Sequence, residues 1–206
     1  MENFIVTLSA YSGLIASIWI VAGVYIAGKF YPNYNHKTQF CSELGASGSP
    51  TEKLSPMINN YPLGLLFCLS GWYIWQLPNA SVVVQLIGVL VMMHGVCTWI
   101  AGYFPMDADP YIEQPTRSCN IHSWAGFIML MSLLIAPLLA IFYSGSIYYA
   151  MSFRVFSAMC VVTMVFFMLK AAKAYKQKTN PGLHQRLSYG AQLIWLSVFS
   201  IVIVQP

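Results

Sequence analysis

Apolar residues fall in six long runs along the chain, and polar residues gather between them. The runs read as Thr7 to Phe30, Tyr61 to Leu77, Ser81 to Phe104, Ile121 to Tyr143, Met151 to Ala171 and Leu187 to Val204. A helix that crosses the hydrocarbon core of a bilayer needs about 20 mostly apolar residues, which is the size of these runs. None of them alternates with period two, and backbone in lipid must close its own hydrogen bonds, so helices are expected rather than barrel strands. The expected fold is all-α: a polytopic membrane protein, one domain over residues 1–206, built as a six-helix transmembrane bundle. Pro137 lies inside the fourth run, where a kink is expected rather than a break, because a neighbouring helix or water can satisfy the freed carbonyl.

The connections are uneven. After the second and fourth runs the turns are short and nearly uncharged, Pro78-Asn79-Ala80 and the region of Ser144-Gly145-Ser146. After the first, third and fifth they are longer: Tyr31 to Asn60, Pro105 to Asn120 and Ala172 to Arg186. With six spans, these three loops share one face and both termini the other. Of the ten Lys and Arg residues, all but Arg154 lie on the long-loop face, so the positive-inside rule places those loops in the cytoplasm. Ser9, Gly13 and Ser17 recur every four positions in the first run, a pattern that lets another helix approach closely. Aromatics at the run ends (Phe30, Tyr31, Trp72, Trp75, Tyr103, Phe104, Tyr148 and Tyr149) fit an interfacial belt.

Composition sharpens this reading. The chain is 58% hydrophobic and 8% charged, whereas a soluble domain carries about 25% charged residues. That leaves little for a second, soluble domain. The net charge of +4 does not point to nucleic acid, because the basic residues sit at helix ends and in one loop; membrane lipid is the expected partner. The five cysteines have no CxxC spacing, and Cys68, Cys97 and Cys160 fall in apolar runs, where a thiol packs as a small hydrophobe. Only Cys41 and Cys119 lie in loops. The start MENF lacks the basic region of a cleavable signal, so the first run is expected to be retained as a span.

The three long loops hold the candidate chemistry. The first, NYNHKTQFCSELGASGSP from Asn33 to Pro50, supplies His36, Ser42 and Glu43. The second supplies Asp107, Asp109, Glu113 and Arg117, with His122 in the first turn of the fourth helix. The third supplies His184, Gln185 and Arg186. Each residue has a plain structural use. His122 can cap its helix, Asp107 can close an Asx-type turn, and Ser42 with Glu43 can start a short surface helix. Gln185 and Arg186 can anchor the sixth span, and Arg186 can pair with Asp107. Taken jointly, ionisable groups from three loops at membrane depth point to one site. His94, in the middle of the third run, is expected to face the bundle as a neutral hydrogen-bonding histidine.

These residues carry a resemblance. His36, five intervening residues and Ser42-Glu43-Leu44-Gly45-Ala46 resemble the first signature of domain-of-unknown-function family 998, a family of polytopic bacterial and archaeal membrane proteins. Gly102 to Asp107, His122 at the start of the fourth span and Gly182 to Leu187 resemble its later signatures in order. The resemblance implies a multi-pass protein of a bacterial inner or plasma membrane, with His36, Ser42, Glu43, Asp107, His122, Gln185 and Arg186 at motif positions. His184 departs from the pattern, where an apolar residue is expected. The resemblance also hints that the signature loops face outward, against the charge count. More distantly the arrangement is similar to Frag1/DRAM/Sfk1-like membrane proteins, some of which are linked to lipid handling.

Two chemical schemes and one binding scheme are open. A lipid-directed hydrolase or acyl transferase would use Ser42 as nucleophile, His122 or His36 as base and Asp107 to orient the base, with Gln185 or Arg186 on an oxyanion or headgroup. A zinc variant would take His36, His122 and Asp107 as ligands and Glu43 as base for the bound water. Its outline is similar to alkaline-ceramidase-like hydrolases, although no HxxxH pair occurs. The alternative is a non-catalytic lipid or small-ligand binding or scaffolding protein.

Overall fold

The computed structural model describes residues 2–142 and 151–204. Six long helices make the fold: α1 (Glu2–Lys29), α3 (Asn60–Trp75), α4 (Val82–Tyr103), α5 (Arg117–Phe142), α6 (Met151–Lys176) and α7 (Pro181–Val202). A short α2 (Leu54–Ile58) and a 3-10 turn (Cys41–Gly45) lie in the first long loop, and no strand occurs among the described residues.

The long helices form a ring. Reading round it, α1 packs on α3, α3 on α4, α4 on α5, α5 on α6, α6 on α7, and α7 closes on α1. Apolar side chains such as Phe67, Ile87, Leu133, Trp195, Leu196 and Phe199 fill the centre, while Val21, Val162 and Leu169 stand exposed on the outside. A surface that is apolar outward as well as inward belongs in lipid. Four helices are long and apolar enough to cross a membrane: Phe4–Lys29 of α1, then α4, α5 and α6. The other two depart for separate reasons. α3 has only 16 residues, and α7 buries polar side chains at Ser188, Gln192 and Ser200.

Close approach is set by small residues. The expected stripe on α1 is used as read: Gly13 abuts Ser70 of α3 and Leu196 of α7, and Ser17 Oγ reaches the Leu193 carbonyl at 3.1 Å. A second close approach, between α3 and α4, was not foreseen. A Cβ placed on Gly71 would lie 2.5 Å from the Gly88 carbonyl oxygen, and one on Gly88 would lie 2.7 Å from that of Gly71. The α3–α4 pair therefore meets backbone to backbone.

His94 faces the interior as expected and is fully buried. Its Nδ1 lies 3.0 Å from the Met129 carbonyl and 3.2 Å from Ser132 Oγ, both on α5, and its Nε2 lies 3.0 Å from the Tyr189 hydroxyl on α7. A carbonyl only accepts, so Nδ1 carries the proton and Tyr189 donates to Nε2. One neutral imidazole thus ties three helices.

Several boundaries move. α5 begins at Arg117 rather than Ile121, because Thr116 Oγ1 accepts from the Cys119 N–H at 3.2 Å and caps the helix start. His122 accordingly sits in the second turn. α6 runs on to Lys176, and α7 starts at Pro181, where a proline loses no helical hydrogen bond. Helix α5 continues through Pro137 without a break. Tyr143, the Ser144-Gly145-Ser146 turn, Tyr148 and Tyr149 lie outside the described residues.

Candidate functional site

The long loops are held by their own polar groups before they meet one another. In the first, the Glu43 carboxylate accepts from the Phe40 N–H at 2.7 Å and from Gln39 Nε2 at 3.2 Å, which closes the start of the 3-10 turn. Glu43 is buried, and each of its carboxylate oxygens is engaged by the loop itself. In the second, the Asp107 carboxylate accepts from the Thr116 N–H at 2.8 Å and from Thr116 Oγ1 at 2.7 Å. Those donors, with a lesser one from Cys119, hold its carboxyl below the usual range. The turn expected at Asp107 is thus a loop staple across nine positions.

The loops then converge. The Ser47 N–H donates to the Met106 carbonyl at 2.9 Å, and Ala46, Met106 and Cys119 pack together, joining the first loop to the second. The Tyr175 hydroxyl donates to the Pro110 carbonyl at 2.6 Å while Tyr111 stacks on Tyr175, joining the second to the end of α6. The Leu183 N–H donates to the Lys37 carbonyl at 2.8 Å, joining the third to the first.

Arg186 completes the joint. Its Nη1 donates to the carbonyls of His36 (2.6 Å), Gln39 (2.7 Å) and Gly182 (3.0 Å), and Nη2 donates to the Tyr34 hydroxyl at 2.5 Å. Gln185 Oε1 accepts from the Cys41 N–H at 2.9 Å. The side chains expected to receive a substrate therefore clamp the first loop onto α7. Burial pushes the Tyr34 hydroxyl up, against the pull of Arg186, so it stays a neutral donor and acceptor. His36 packs edge-on to Tyr34; burial first, then Arg186 and Lys29, hold its pKa down.

Beneath this joint lies a cavity of about 540 Å³. Toward the loops it is lined by Cys41, Ser42, Met106, Pro110, Gln185 and Arg186, its walls include Val24, Leu63, Leu130 and Met168, and toward the middle of the bundle it is lined by Tyr189 and Gln192. Ser42 and His122 both line it. His122 Nδ1 lies 2.9 Å from the carbonyls of Ala101 and of Phe104, so it donates there and caps the end of α4, and in the neutral ring Nε2 is then the acceptor.

Neither catalytic arrangement expected from the sequence is assembled by the hydrogen bonds of this geometry. Asp107 cannot orient His122, because its carboxylate is held by Thr116 and the His122 Nδ1–H is held by carbonyls. No hydrogen bond joins Ser42 to His122 among the described residues. Arg186 and Asp107 do not pair, since each is committed elsewhere. For zinc, His36, Asp107 and His122 fail to converge: among the described residues no three of His, Cys, Asp and Glu gather in a group able to hold a metal ion. Glu43, proposed as the base for a bound water, is spent on the turn. His184 is stacked against Phe167 and does not line the cavity. Tyr34, Tyr189 and Gln192 were missed, because a loop tyrosine beside an aromatic belt, or an aromatic or amide in an apolar run, reads as packing until its neighbours are known.

A family model described as Protein of unknown function (DUF998) matches residues 14–202. No curated protein and no solved structure matches the chain. The chain belongs to the DUF998 family.

Proposed function

We propose that this DUF998 member is a six-span membrane protein that holds a lipid-like amphiphile in the cavity beneath its three joined loops, and does so without turning it over. The observation that carries the reading is the cavity itself. Ligand sites are concave and mostly apolar, with a few polar groups that fix orientation, and volumes of about 300–1,000 Å³ are usual. This cavity has apolar walls and a polar mouth, which suits a molecule with a hydrocarbon body and a polar head.

The ring of helices supports a reading of six spans. α3 lies between α1 and α4, and α7 between α6 and α1, all of which are apolar enough to cross. A helix flanked on both sides by spanning helices shares their depth. α3 rises about 24 Å, short of the hydrocarbon thickness of about 30 Å. With α2, separated from it only by Asn59, the helical path covers the rest. α7 has length enough, and its polar residues turn inward rather than to lipid.

Hydrolysis is the second reading. Ser42 and His122 share the cavity wall, and the fixed Nδ1–H of His122 leaves Nε2 able to accept a proton. Binding is favoured because the carboxylates expected to serve the chemistry are committed to loop structure.

The test is native mass spectrometry of protein extracted in mild detergent, with Gly126→Leu as control. Gly126 lines the cavity, and a Cβ there meets nothing within 4 Å, so the leucine side chain starts from open space beside the cavity. A co-purifying amphiphile that is absent from the folded Gly126→Leu variant is the expected result. No bound species would sink the reading. Turnover of a membrane lipid that is abolished by Ser42→Ala would replace it with the hydrolase.

A further inference from the structure

Helix α7 carries polar side chains at a depth where a bilayer-crossing helix has least use for them. Gln185, Tyr189 and Gln192 stand at i, i+4 and i+7, on one face, and all three line the cavity. From first to last they descend roughly 10 Å along the helix axis. Gln185 is committed to the Cys41 amide at the mouth. Tyr189 gives its proton to His94, and its oxygen keeps capacity to accept.

Gln192 is different. It is 0% exposed, and neither Nε2 nor Oε1 has a hydrogen-bond partner. A buried amide left unpaired destabilises a fold, and native structures supply a partner for such groups from protein, water or ligand. Among the described residues no protein group does so. A ligand with a plain hydrocarbon tail would leave the amide in the same condition.

Building on the ligand-binding reading, we propose that the amphiphile is polar at both ends. Its head lies at the loop mouth, and a second group that both donates and accepts, such as a hydroxyl, pairs with the Gln192 amide and the Tyr189 oxygen in the middle of the bundle. The ligand class is thus a hydroxylated or otherwise two-ended chain, not a simple fatty tail.

Equilibrium binding of radiolabelled octanediol and octanol to the protein in nanodiscs, corrected for empty nanodiscs, tests this. The wild-type protein should bind the diol about ten-fold more tightly, because a site built to hydrogen-bond a hydroxyl rejects the analogue that lacks it. Gln192→Met should erase the difference. If that variant fails to fold, Tyr189→Phe should still reduce the preference. Equal wild-type affinities for the two alcohols would overturn the two-ended ligand, a bound water then serving Gln192, and leave the cavity reading standing. If neither alcohol binds and native mass spectrometry shows no amphiphile, the cavity reading itself has failed.

Discussion

The Arg186 guanidinium donates to the Tyr34 hydroxyl at 2.5 Å and stands 5.8 Å from the centre of the same ring. Hydrogen bond and cation–π contact together tie α7 to the chain that leaves α1. Arg186→Lys keeps the charge but loses the planar fork that reaches several acceptors at once. We expect it to cost about 2–4 kcal/mol, since carbonyls of His36 and Gln39 lose a charged donor. Tyr34→Phe, which removes an acceptor from Arg186 and the donor to the Phe40 carbonyl at 2.7 Å, should cost about 1–3 kcal/mol. Thermal unfolding in a single detergent checks both.

Acid should loosen the loop joint. His36 has a folded pKa below its ordinary 6.5, so the unfolded chain binds more protons there as pH falls. Stability is therefore present above 6.5 and is lost as pH drops through the folded value. Asp107 acts in the same direction further down, from its ordinary 3.8. Melting temperature against pH should fall on acidification from 6.5, and His36→Gln should flatten the first part of that fall. An unchanged curve in the variant would show that His36 is not the group responsible.

Backbone contact makes α3–α4 intolerant of a methyl group. Gly88→Ala would press a Cβ against the Gly71 carbonyl and the Trp75 backbone, neither of which is the end of a flexible side chain. Overpacking costs typically about 1–3 kcal/mol, and this site belongs at or above the upper end. Gly190→Ala, where a Cβ meets nothing within 4 Å, is the matched control and should be nearly neutral. Yield of monodisperse protein and melting temperature report the difference.

Orientation can be read with a membrane-impermeant thiol reagent on a chain stripped of its native cysteines. Thr38→Cys reports the three-loop face and Pro78→Cys the opposite one, both at exposed positions. With the long loops in the cytoplasm, only Pro78→Cys reacts in intact cells. The reverse pattern would favour the outward face to which the family resemblance points.

Much of the fold was legible because lipid imposes simple rules. Run lengths, turn residues and the Ser9–Gly13–Ser17 stripe located the helices and one real interface, and uneven loops placed three polar segments together. The site was legible only as a region. His36, Ser42, Glu43, Asp107 and His122 look like catalytic equipment in sequence because residue type is visible and partners are not. Thr116 takes Asp107, Phe40 takes Glu43 and two carbonyls take His122. Those partners are backbone groups or ordinary residues that carry no motif. Gln192 is the converse case: its type is unremarkable, and only the lack of a partner singles it out.

The closure of α7 on α1 has a consequence for how the chain is made. Ser17 and Leu193 touch across 176 positions of sequence, so this seam cannot form until five other long helices have emerged. The helix that arrives last among the six is also one of the two that fall short of the length and apolarity needed to cross a membrane on their own. By then its berth exists, with the Met164 carbonyl ready for Ser188 and the Ser157 hydroxyl ready for Trp195. A ribosome stalled before α7 would leave a five-sided bundle with its inner chamber open to the bilayer, able to admit lipid sideways before the wall is shut.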